Sequence, residues 1–288
     1  MKIREVSVIG AGTMGNGIAH VCALAGLQVA LVDADREALD RGLGMIRRNL
    51  GRQLGKGRIS GEQLSAALAL IEAETSLDAV AKADLAIEAV PEVAGLKREI
   101  FAELDRIAPA GAILASNTSS ISITKIAAAT GRPEKVIGMH FMNPVPVMKL
   151  VEVIRGLRTD DATAAAVLEV ARTLGKTPVE ARDFPGFVSN RILMPMINEA
   201  VFALMEGVAS AEGIDTVMKL GMNHPMGPLA LADLIGLDTC LNILEVLHRE
   251  LGDDRYRPCP LLRQYVAAGW LGRKSGRGFH AYPPKPAE

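Results

Sequence analysis

Short apolar runs rich in β-branched residues alternate with longer amphipathic stretches along the first half of the chain. This alternation is typical of βαβ units on a mostly parallel sheet, and so of an α/β fold. The pattern predicts six strands, over Val6–Ile9, Gln28–Val32, Leu85–Ala89, Ala112–Ala115, Val136–His140 and Leu150–Ile154. It predicts helices among them, over Met14–Ala25, Arg36–Leu54, Gly61–Leu70, Leu96–Ile107 and Ile123–Ala129.

Two of these helices follow each other with no predicted strand between them. Arg36–Leu54 leads into Gly55-Lys56-Gly57, whose glycines favour a turn, and Gly61–Leu70 comes next. We therefore predict a Rossmann-type doubly wound sheet with a helical hairpin inserted between its second and third predicted strands.

The pattern changes at Asp183-Phe184-Pro185-Gly186, where the Pro-Gly pair is typical of a turn. We therefore expect two domains, an α/β domain over residues 1–183 and an all-α domain over residues 184–288. The first helix of the second domain is apolar nearly all round, which predicts burial on several sides and a homodimer through this domain. The proline-rich tail is expected to be loosely held. The helices predicted here are Phe187–Met205, Glu212–Lys219, Pro228–Leu234 and Thr239–Leu251.

Composition limits the possible functions. The 49% hydrophobic content is too high for a disordered chain, and the net charge of −1 gives no general attraction to nucleic acid or to anionic lipid. The three cysteines lie far apart in the sequence, which argues against a metal site and fits a reducing compartment. The charged N-terminus does not resemble a signal peptide, and the apolar stretch Ile18–Val32 is too short to span a bilayer. We therefore expect a soluble, cytoplasmic protein.

The first predicted strand runs directly into a glycine-rich segment of the form G-x-G-x-x-G. Gly10 permits a tight turn, Gly12 lets the backbone approach a pyrophosphate, and Gly15 allows close packing of helix on strand. The N-terminus of the following helix attracts an anion. Because the motif lies between a strand and a helix, we interpret it as a dinucleotide-binding loop rather than an ordinary glycine-rich turn. The residues expected to contact the cofactor are Gly10, Gly12, Thr13, Met14 and Gly15.

An acidic residue follows the second predicted strand. Asp33 lies at the spacing from the glycine-rich segment at which a carboxylate binds the ribose hydroxyls of a dinucleotide. A carboxylate there repels the 2′-phosphate of NADP, so NAD is the expected cofactor. Arg36 lies close enough in sequence to leave NADP as an alternative.

Polar residues also follow the other predicted strands. Glu92 comes shortly after the third strand, Asn117 and Ser119 follow the fourth, and His140 ends the fifth. Ligands of open α/β sheets bind beyond the carboxyl ends of the strands, so we expect these side chains to converge on one crevice. Ser119, and Asn190 in the helical domain, could supply hydrogen bonds, although each taken alone is also a common helix-capping residue.

His140 and Glu152 are the strongest candidates for chemistry. Glu152 shares a face of its strand with apolar side chains, because side chains alternate along a strand. An unpaired carboxylate on such a face is costly, and His140 is a near partner across the intervening turn. Such a pair fixes the imidazole tautomer and stabilises its cation, which are the properties of a general base. Two alternatives stay open, an ordinary core histidine at His140 and a pairing of Glu152 with Lys149 or Arg155.

Six distinctive segments are spread over nearly the whole chain, namely VIGAGTMGNG (Val8–Gly17), ASNTSS (Ala115–Ser120), GMHFMNPVPVMKLVEVI (Gly138–Ile154), DFPGFVSNR (Asp183–Arg191), HPMGPLALADLIGL (His224–Leu237) and GRKSGRGF (Gly272–Phe279). In these segments the chain resembles the 3-hydroxyacyl-CoA dehydrogenase family, and most closely its bacterial 3-hydroxybutyryl-CoA members. The resemblance implies an N-terminal NAD-binding domain with a helical hairpin, a C-terminal helical dimerisation domain, and oxidation of an L-3-hydroxyacyl-CoA with NAD.

The resemblance also implies roles for individual residues. His140 is the implied general base and Glu152 its partner, while Ser119 and Asn190 hold the reacting oxygen and the thioester. In the same scheme Asp33 binds the adenosine ribose. The residues implied for the nicotinamide side of the cofactor site are Glu92, Lys97, Asn117, Ser119, Asn143 and Lys274. The residues implied for the CoA phosphates are Arg52, where lysine is common in the family, and Lys56.

Other interpretations stay open beside this one. Arg52 and Lys56 would also suit a solvated helix face. Relatives resembling gulonate dehydrogenase share the two-domain plan, which leaves a sugar-acid dehydrogenase as an alternative. A non-catalytic NAD-binding protein of the lens-crystallin kind would keep the glycine-rich segment but would not need the His140–Glu152 pair. The chain departs from the family at His280-Ala281-Tyr282, where many relatives carry Tyr-Asp-Tyr, and this affects the expected packing of the tail.

Overall fold

The computed structural model of the chain describes residues 2–283. Two compact units are present, and the division between them falls between Phe184 and Pro185. The first unit is an α/β domain and the second is helical, so the predicted fold class is confirmed. The proline-rich tail, predicted to be loosely held, lies outside the described residues from position 284 onward.

One eight-stranded sheet forms the centre of the first unit. The order across the sheet is β3-β2-β1-β4-β5-β6-β7-β8, and every neighbouring pair is parallel except β6 and β7. The chain moves outward from β1 to β3 and returns to the other side of β1 at β4. The ends of β1 and β4 therefore border the switch point at which such sheets bind ligands. The strands are β1 (Glu5–Ile9), β2 (Gln28–Val32), β3 (Ile71–Glu74), β4 (Leu85–Glu88), β5 (Ile113–Ser116), β6 (Val136–Phe141), β7 (Leu150–Arg155) and β8 (Thr177–Arg182).

Six α-helices accompany this sheet, and two of them follow each other without a strand between them, as predicted. Ser60 and Gln63 form a capping box where the second helix of this pair begins. Short 3-10 helices occur at Leu77–Lys82 and Pro133–Lys135. The α-helices are α1 (Thr13–Leu24), α2 (Arg36–Gly55), α3 (Gly61–Ala69), α4 (Ala94–Ile107), α5 (Ile123–Ala127) and α6 (Asp161–Thr173).

The sequence pattern missed three elements of this unit. β3 and β8 lie at the two edges of the sheet, and many of their side chains are exposed. β3 has four residues, two of them glutamates, and β8 contains Pro178, which is tolerated at a sheet edge. Alternation of apolar and polar residues depends on burial of one face, so these edges give a weak signal. α6 is rich in alanine, which gives little contrast between its faces.

Apolar side chains of the inner strands and the facing helices form the core of this unit. Leu39, Ile46 and Leu50 lie on one face of α2 and are fully buried. Val8 and Ile87 are equally buried on the adjacent strands β1 and β4. Each such side chain contributes about 1.5–3 kcal/mol through removal from water. This packing fixes the strand ends that carry the polar residues.

The second unit is helical. Its first helix begins at Ser189 rather than at Phe187, because Gly186 and Phe187 have φ of 77° and 50°, outside the helical region. The sequence pattern does not predict the last helix. The helices are α7 (Ser189–Met205), α8 (Ala211–Leu220), α9 (Pro228–Ile235), α10 (Leu237–Leu251) and α11 (Pro260–Ala267), with 3-10 helices at Asp254–Tyr256 and Arg273–Ser275.

α7 is only partly covered within the single chain. Met194, Ile197 and Val201 are buried, whereas Ile192 is 68% exposed. The expected burial on several sides is therefore not met by this chain alone. Among residues 2–283, no helix is both long enough and apolar enough to cross a membrane.

Candidate active site

The glycine-rich segment joins β1 to the N-terminus of α1. Gly10 has φ of 101°, and a Cβ there would lie 2.8 Å from the carbonyl oxygen of Ala89. A Cβ at Gly12 would meet no atom within 4 Å, whereas one at Gly15 would overlap the carbonyl of Gly10. An open backbone at Gly12, beside a helix N-terminus, fits the close approach of a pyrophosphate. The first turn of α1 also carries Thr13 and Met14.

Asp33 follows β2 and lies beside the glycine-rich segment. Its Oδ2 accepts a hydrogen bond from the Ala11 N–H at 2.8 Å, and its Oδ1 accepts one from the Asp35 N–H at 3.0 Å. A half-buried acid after the second strand is the usual ribose-binding group of such folds. Arg36 could bind a 2′-phosphate, but in this structure it pairs with Asp40, with Nε 3.3 Å from Oδ1. These residues therefore fit NAD better than NADP.

His140 and Glu152 form a direct pair. β6 and β7 are antiparallel neighbours, and their register places the two residues opposite each other. His140 Nδ1 lies 2.8 Å from Glu152 Oε2, with 8% of His140 and 1% of Glu152 exposed. Arg155, an alternative partner of Glu152, pairs with Asp161 and Glu180 instead. Because a carboxylate can only accept, the imidazole carries its proton on Nδ1, and proton transfer falls to Nε2.

The segment after β5 carries Asn117 and Ser119 to the same end of the sheet. Asn117 Oδ1 accepts a hydrogen bond from the Phe141 N–H at 2.9 Å, which ties the segment to the residue after His140. The backbone N–H and the hydroxyl of Ser119 donate to Glu92 Oε1 at 2.9 and 3.3 Å. The predicted convergence of these strand ends is therefore present in the structure.

Glu92 and Lys97 are in contact at this end of the sheet. Lys97 Nζ lies 3.2 Å from Glu92 Oε2, and the lysine is only 1% exposed. Burial alone would raise the pKa of Glu92, but the charge of Lys97 and hydrogen bonds from Thr118 and Ser119 outweigh burial and lower that pKa below its ordinary value. Glu92 is therefore an anion that accepts hydrogen bonds over the ordinary pH range.

Three further predicted residues of the first unit are solvent-exposed. Asn143 lies in the turn between β6 and β7. Arg52 is in the last turn of α2, and Lys56 directly follows that helix. Among the described residues, no acidic side chain forms an ion pair with Arg52 or Lys56. The two cations are therefore available to an anion from solution.

Two predicted residues belong to the second unit. Asn190 lies in the first turn of α7 and is 7% exposed. Lys274 lies in the 3-10 helix Arg273–Ser275, and its Nζ donates to the carboxylate of Asp238 at 2.6 Å. The first unit thus brings together His140, Glu152, Asn117, Ser119, Glu92 and Lys97, while Asn190 and Lys274 belong to the helical unit.

Sequence reasoning did not single out Glu88. Glu88 is the last residue of β4 and is completely buried, with 0% exposure. Its Oε1 lies 2.6 Å from Lys97 Nζ. A signal was present, because a carboxylate at the end of an otherwise apolar strand must find a partner if the strand is buried. That partner lies nine residues further along the chain, on α4, and only the fold brings the two together.

Comparisons with known proteins agree over nearly the whole described chain. Residues 5–184 match the NAD binding domain of 3-hydroxyacyl-CoA dehydrogenase, and residues 186–282 match the C-terminal domain of the same family. The 3-hydroxybutyryl-CoA dehydrogenase of Bradyrhizobium diazoefficiens is 57% identical, covering 97% of this chain and 96% of the relative. That of Clostridioides difficile is 48% identical, covering 96% and 99%.

A solved structure is similar over nearly the same span. The crystal structure of (S)-3-hydroxybutyryl-CoA dehydrogenase from Ralstonia eutropha superposes with a TM-score of 0.96 at 53% sequence identity. The similarity covers 98% of this chain and all of the other.

Proposed function

This chain belongs to the 3-hydroxyacyl-CoA dehydrogenase family, and we propose that it interconverts a (3S)-3-hydroxyacyl-CoA and the corresponding 3-oxoacyl-CoA with NAD(H). The expected substrate is short, 3-hydroxybutyryl-CoA, because relatives named for that substrate are 57% and 48% identical to this chain over nearly its whole length. The N-terminal unit is the NAD-binding domain of the family.

The pairing of His140 with Glu152 is the observation that carries this proposal. A buried imidazole held by a carboxylate at 2.8 Å is oriented for proton transfer at Nε2. In the oxidative direction, Nε2 takes the proton of the substrate 3-hydroxyl, and Glu152 stabilises the resulting imidazolium. In the reductive direction, the same nitrogen returns the proton to the 3-oxo oxygen.

Ser119 is the proposed donor to the oxygen on C3, where negative charge develops in both directions. Its backbone N–H donates to Glu92 Oε1 at 2.9 Å, which defines the path of the loop that carries it. Its single hydroxyl hydrogen turns from Glu92 Oε1, 3.3 Å away, to the substrate oxygen. We propose that Asn190 donates to the thioester. When bound, NAD supplies the acceptor for the hydride that leaves C3.

The NAD site itself is assigned to the glycine-rich segment and to Asp33. Gly12 offers open backbone at the start of α1, and Asp33 offers a carboxylate after β2. Asn117, Glu92, Asn143 and Lys274 are proposed to border the nicotinamide side.

The CoA part of the substrate is assigned to Arg52 and Lys56. These exposed cations are four residues apart at the end of α2, so they can face the same way. CoA carries several phosphate charges far from the reacting carbon, and binding energy from such remote groups helps to hold the reacting centre in place. A sugar acid lacks these phosphates, so the exposed cations favour a CoA ester.

We also propose that the helical unit forms a homodimer. Five of its apolar side chains are more than half exposed in the single chain, namely Ile192, Val208, Val217, Leu220 and Met222. Contact with a second copy of the chain would remove such side chains from water, which favours association. Light scattering at micromolar concentration should give twice the mass of one chain, and the mass of one chain would contradict the proposal.

The proposed reaction is tested by consumption of NADH with acetoacetyl-CoA. We expect rapid oxidation of NADH, much slower oxidation of NADPH, and no NAD reduction with L-gulonate in the reverse assay. Activity on L-gulonate without activity on acetoacetyl-CoA would favour the sugar-acid alternative. Binding of NADH without turnover of either compound would favour a non-catalytic NAD-binding protein.

A further inference from the structure

A buried ion pair lies behind the candidate active site. Glu88 at the end of β4 is 0% exposed, and Lys97 on α4 is 1% exposed. Lys97 Nζ donates to Glu88 Oε1 at 2.6 Å. The other carboxylate oxygen of Glu88 accepts from the Ser116 hydroxyl at 2.6 Å, and Oε1 also accepts from the Val90 N–H at 2.7 Å. Both oxygens of this buried carboxylate are therefore satisfied.

Lys97 uses its whole donor capacity inside the protein. An ammonium has three N–H donors, and Nζ lies near three acceptors. These are Glu88 Oε1 at 2.6 Å, Glu92 Oε2 at 3.2 Å and the Val90 carbonyl at 3.3 Å. With 1% of its surface exposed, the side chain joins two carboxylates inside the protein.

Glu92 passes this connection on to the segment that carries Ser119. Its Oε1 accepts from the Thr118 hydroxyl at 2.5 Å, and from the backbone N–H groups of Ser119 and Ser120 at 2.9 and 3.1 Å. A second connection runs from Glu88 through Ser116, whose hydroxyl accepts from the Thr118 N–H at 3.2 Å. The pair is thus tied to the Ser119 segment from two sides.

We propose that Glu88 and Lys97 are positioning residues for Ser119, and the inference rests on the role given to Ser119 in the proposed function. The buried pair holds Glu92 in one place, and Glu92 holds the backbone N–H groups of Ser119 and Ser120. A donor to a developing oxyanion must be held within a fraction of an ångström. Lys97 therefore supports the Ser119 segment from inside the protein, through its contact with Glu92.

A purely structural role would also explain a buried ion pair, so the test needs a reading that such a role would not change. A double-mutant cycle between Lys97 and Ser119 supplies it, because residues that act through one another are not additive. We would measure kcat for acetoacetyl-CoA reduction and the NADH Kd, by fluorescence, in wild type, Lys97→Met, Ser119→Ala and the double variant.

Ser119→Ala should lower kcat about 10²-fold, the loss typical of an oxyanion donor. Lys97→Met should lower kcat about 10-fold in the wild-type background but less than about 3-fold when Ser119 is already alanine. Every kcat is taken at saturating NADH, so a change in the NADH Kd does not enter the comparison. Equal losses of kcat in both backgrounds would overturn the proposal.

Lys97→Met leaves Glu88 buried without its cation, which can prevent folding. Glu88→Gln is the second variant, because it keeps the shape of the side chain and a partner for the Ser116 hydroxyl. The same cycle with Ser119→Ala should show the same non-additivity. Arg132→Met is the matched control, because it breaks a partly buried pair with Asp105 in the same unit. It should lower stability and keep kcat within about twofold.

The outcomes separate this inference from the proposed function. If wild type fails to reduce acetoacetyl-CoA, the reaction itself is wrong. If Ser119→Ala keeps the wild-type kcat, Ser119 is not the donor, and the positioning role falls with it. If Ser119→Ala is slow and the Lys97 and Glu88 losses are additive to it, the function stands and only this inference fails.

Discussion

His140 and Glu152 face each other as register partners on the only antiparallel strand pair among the described strands of the sheet, with Nδ1 2.8 Å from Oε2. Antiparallel pairing is what allows two residues twelve positions apart to lie side by side. Both strands are buried here, so the carboxylate has no water to compete with the imidazole.

Glu152→Gln should slow the reaction without preventing cofactor binding. The glutamine keeps the size of the side chain, but the imidazolium that forms during oxidation loses its counter-charge. We expect kcat to fall about 10–10³-fold, with the NADH Kd unchanged. Glu180→Gln on the neighbouring strand β8 is the control and should keep the wild-type kcat. A Glu152→Gln enzyme as fast as wild type would show that the carboxylate does not support the base.

Asp33→Ala should weaken NAD binding and relax the preference for NAD over NADP. The change removes the carboxylate that binds the ribose hydroxyls and repels a 2′-phosphate. Titration of both cofactors by fluorescence would measure the two Kd values. Glu72→Gln, an exposed acid on β3, is the control for a general change of charge. An unchanged ratio of Kd values in Asp33→Ala would remove Asp33 from the cofactor site.

Arg52→Ala/Lys56→Ala should raise the KM for acetoacetyl-CoA. Each exposed contact with a phosphate contributes about 0.2–1 kcal/mol, and more where the contact is partly desolvated. The control is the substrate itself, because a short thioester without the nucleotide has no phosphates. Wild type and the double variant should be equally poor on that thioester. If the double variant lost as much activity on the short thioester as on acetoacetyl-CoA, the two residues would be structural and would not bind the CoA phosphates.

Because of the buried side chain of His20, we expect the folded protein to be less stable in mild acid than at neutral pH. The side chain is 1% exposed, Nδ1 has no hydrogen-bond partner among the described residues, and burial lowers the pKa of His20 to about 4 from its ordinary 6.5. Below about pH 6.5 the unfolded chain binds a proton that the folded chain does not bind, so stability falls as the pH falls toward 4.

Urea unfolding measured between pH 7 and pH 5 tests this effect. One such histidine makes the free energy of unfolding fall by up to about 1.4 kcal/mol per pH unit in this range. His20→Gln removes the titrating group and should flatten the pH dependence by about that slope. If the free energy of unfolding had the same pH dependence in wild type and in His20→Gln, the pKa of His20 would be the same in the folded and the unfolded chain, which would contradict the prediction.

Much of the α/β unit follows from local sequence. The strands β1, β2 and β6 are largely buried, and a glycine or polar residue lies at or directly after the end of each, namely Gly10, Asp33 and His140. A side chain at Gly10 would collide with the backbone of Ala89, and one at Gly15 would collide with the backbone of Gly10, so both positions require glycine. A strand–turn–helix motif implies this close packing. The alternation of side chains along β7 was enough to identify Glu152 as a carboxylate in need of a partner.

The rest depends on contacts between distant segments. Edge strand β8 packs too little apolar surface to leave a clear pattern. The positive φ of Phe187, which delays the start of α7, has no signal in a run of apolar residues. Lys97 illustrates the same limit within the site, because a lysine in the first turn of a helix gives no sign that it is buried between Glu88 and Glu92.

The most direct test of the account is the turnover of His140→Gln. The variant should fold and bind NADH with the wild-type Kd, because His140 lies at the reacting end of the site and not in the glycine-rich segment. Its kcat for acetoacetyl-CoA should fall about 10²–10⁴-fold, the usual contribution of a positioned acid or base. A kcat within about threefold of wild type, far inside that range, would contradict the assignment of His140 as the group that moves the proton.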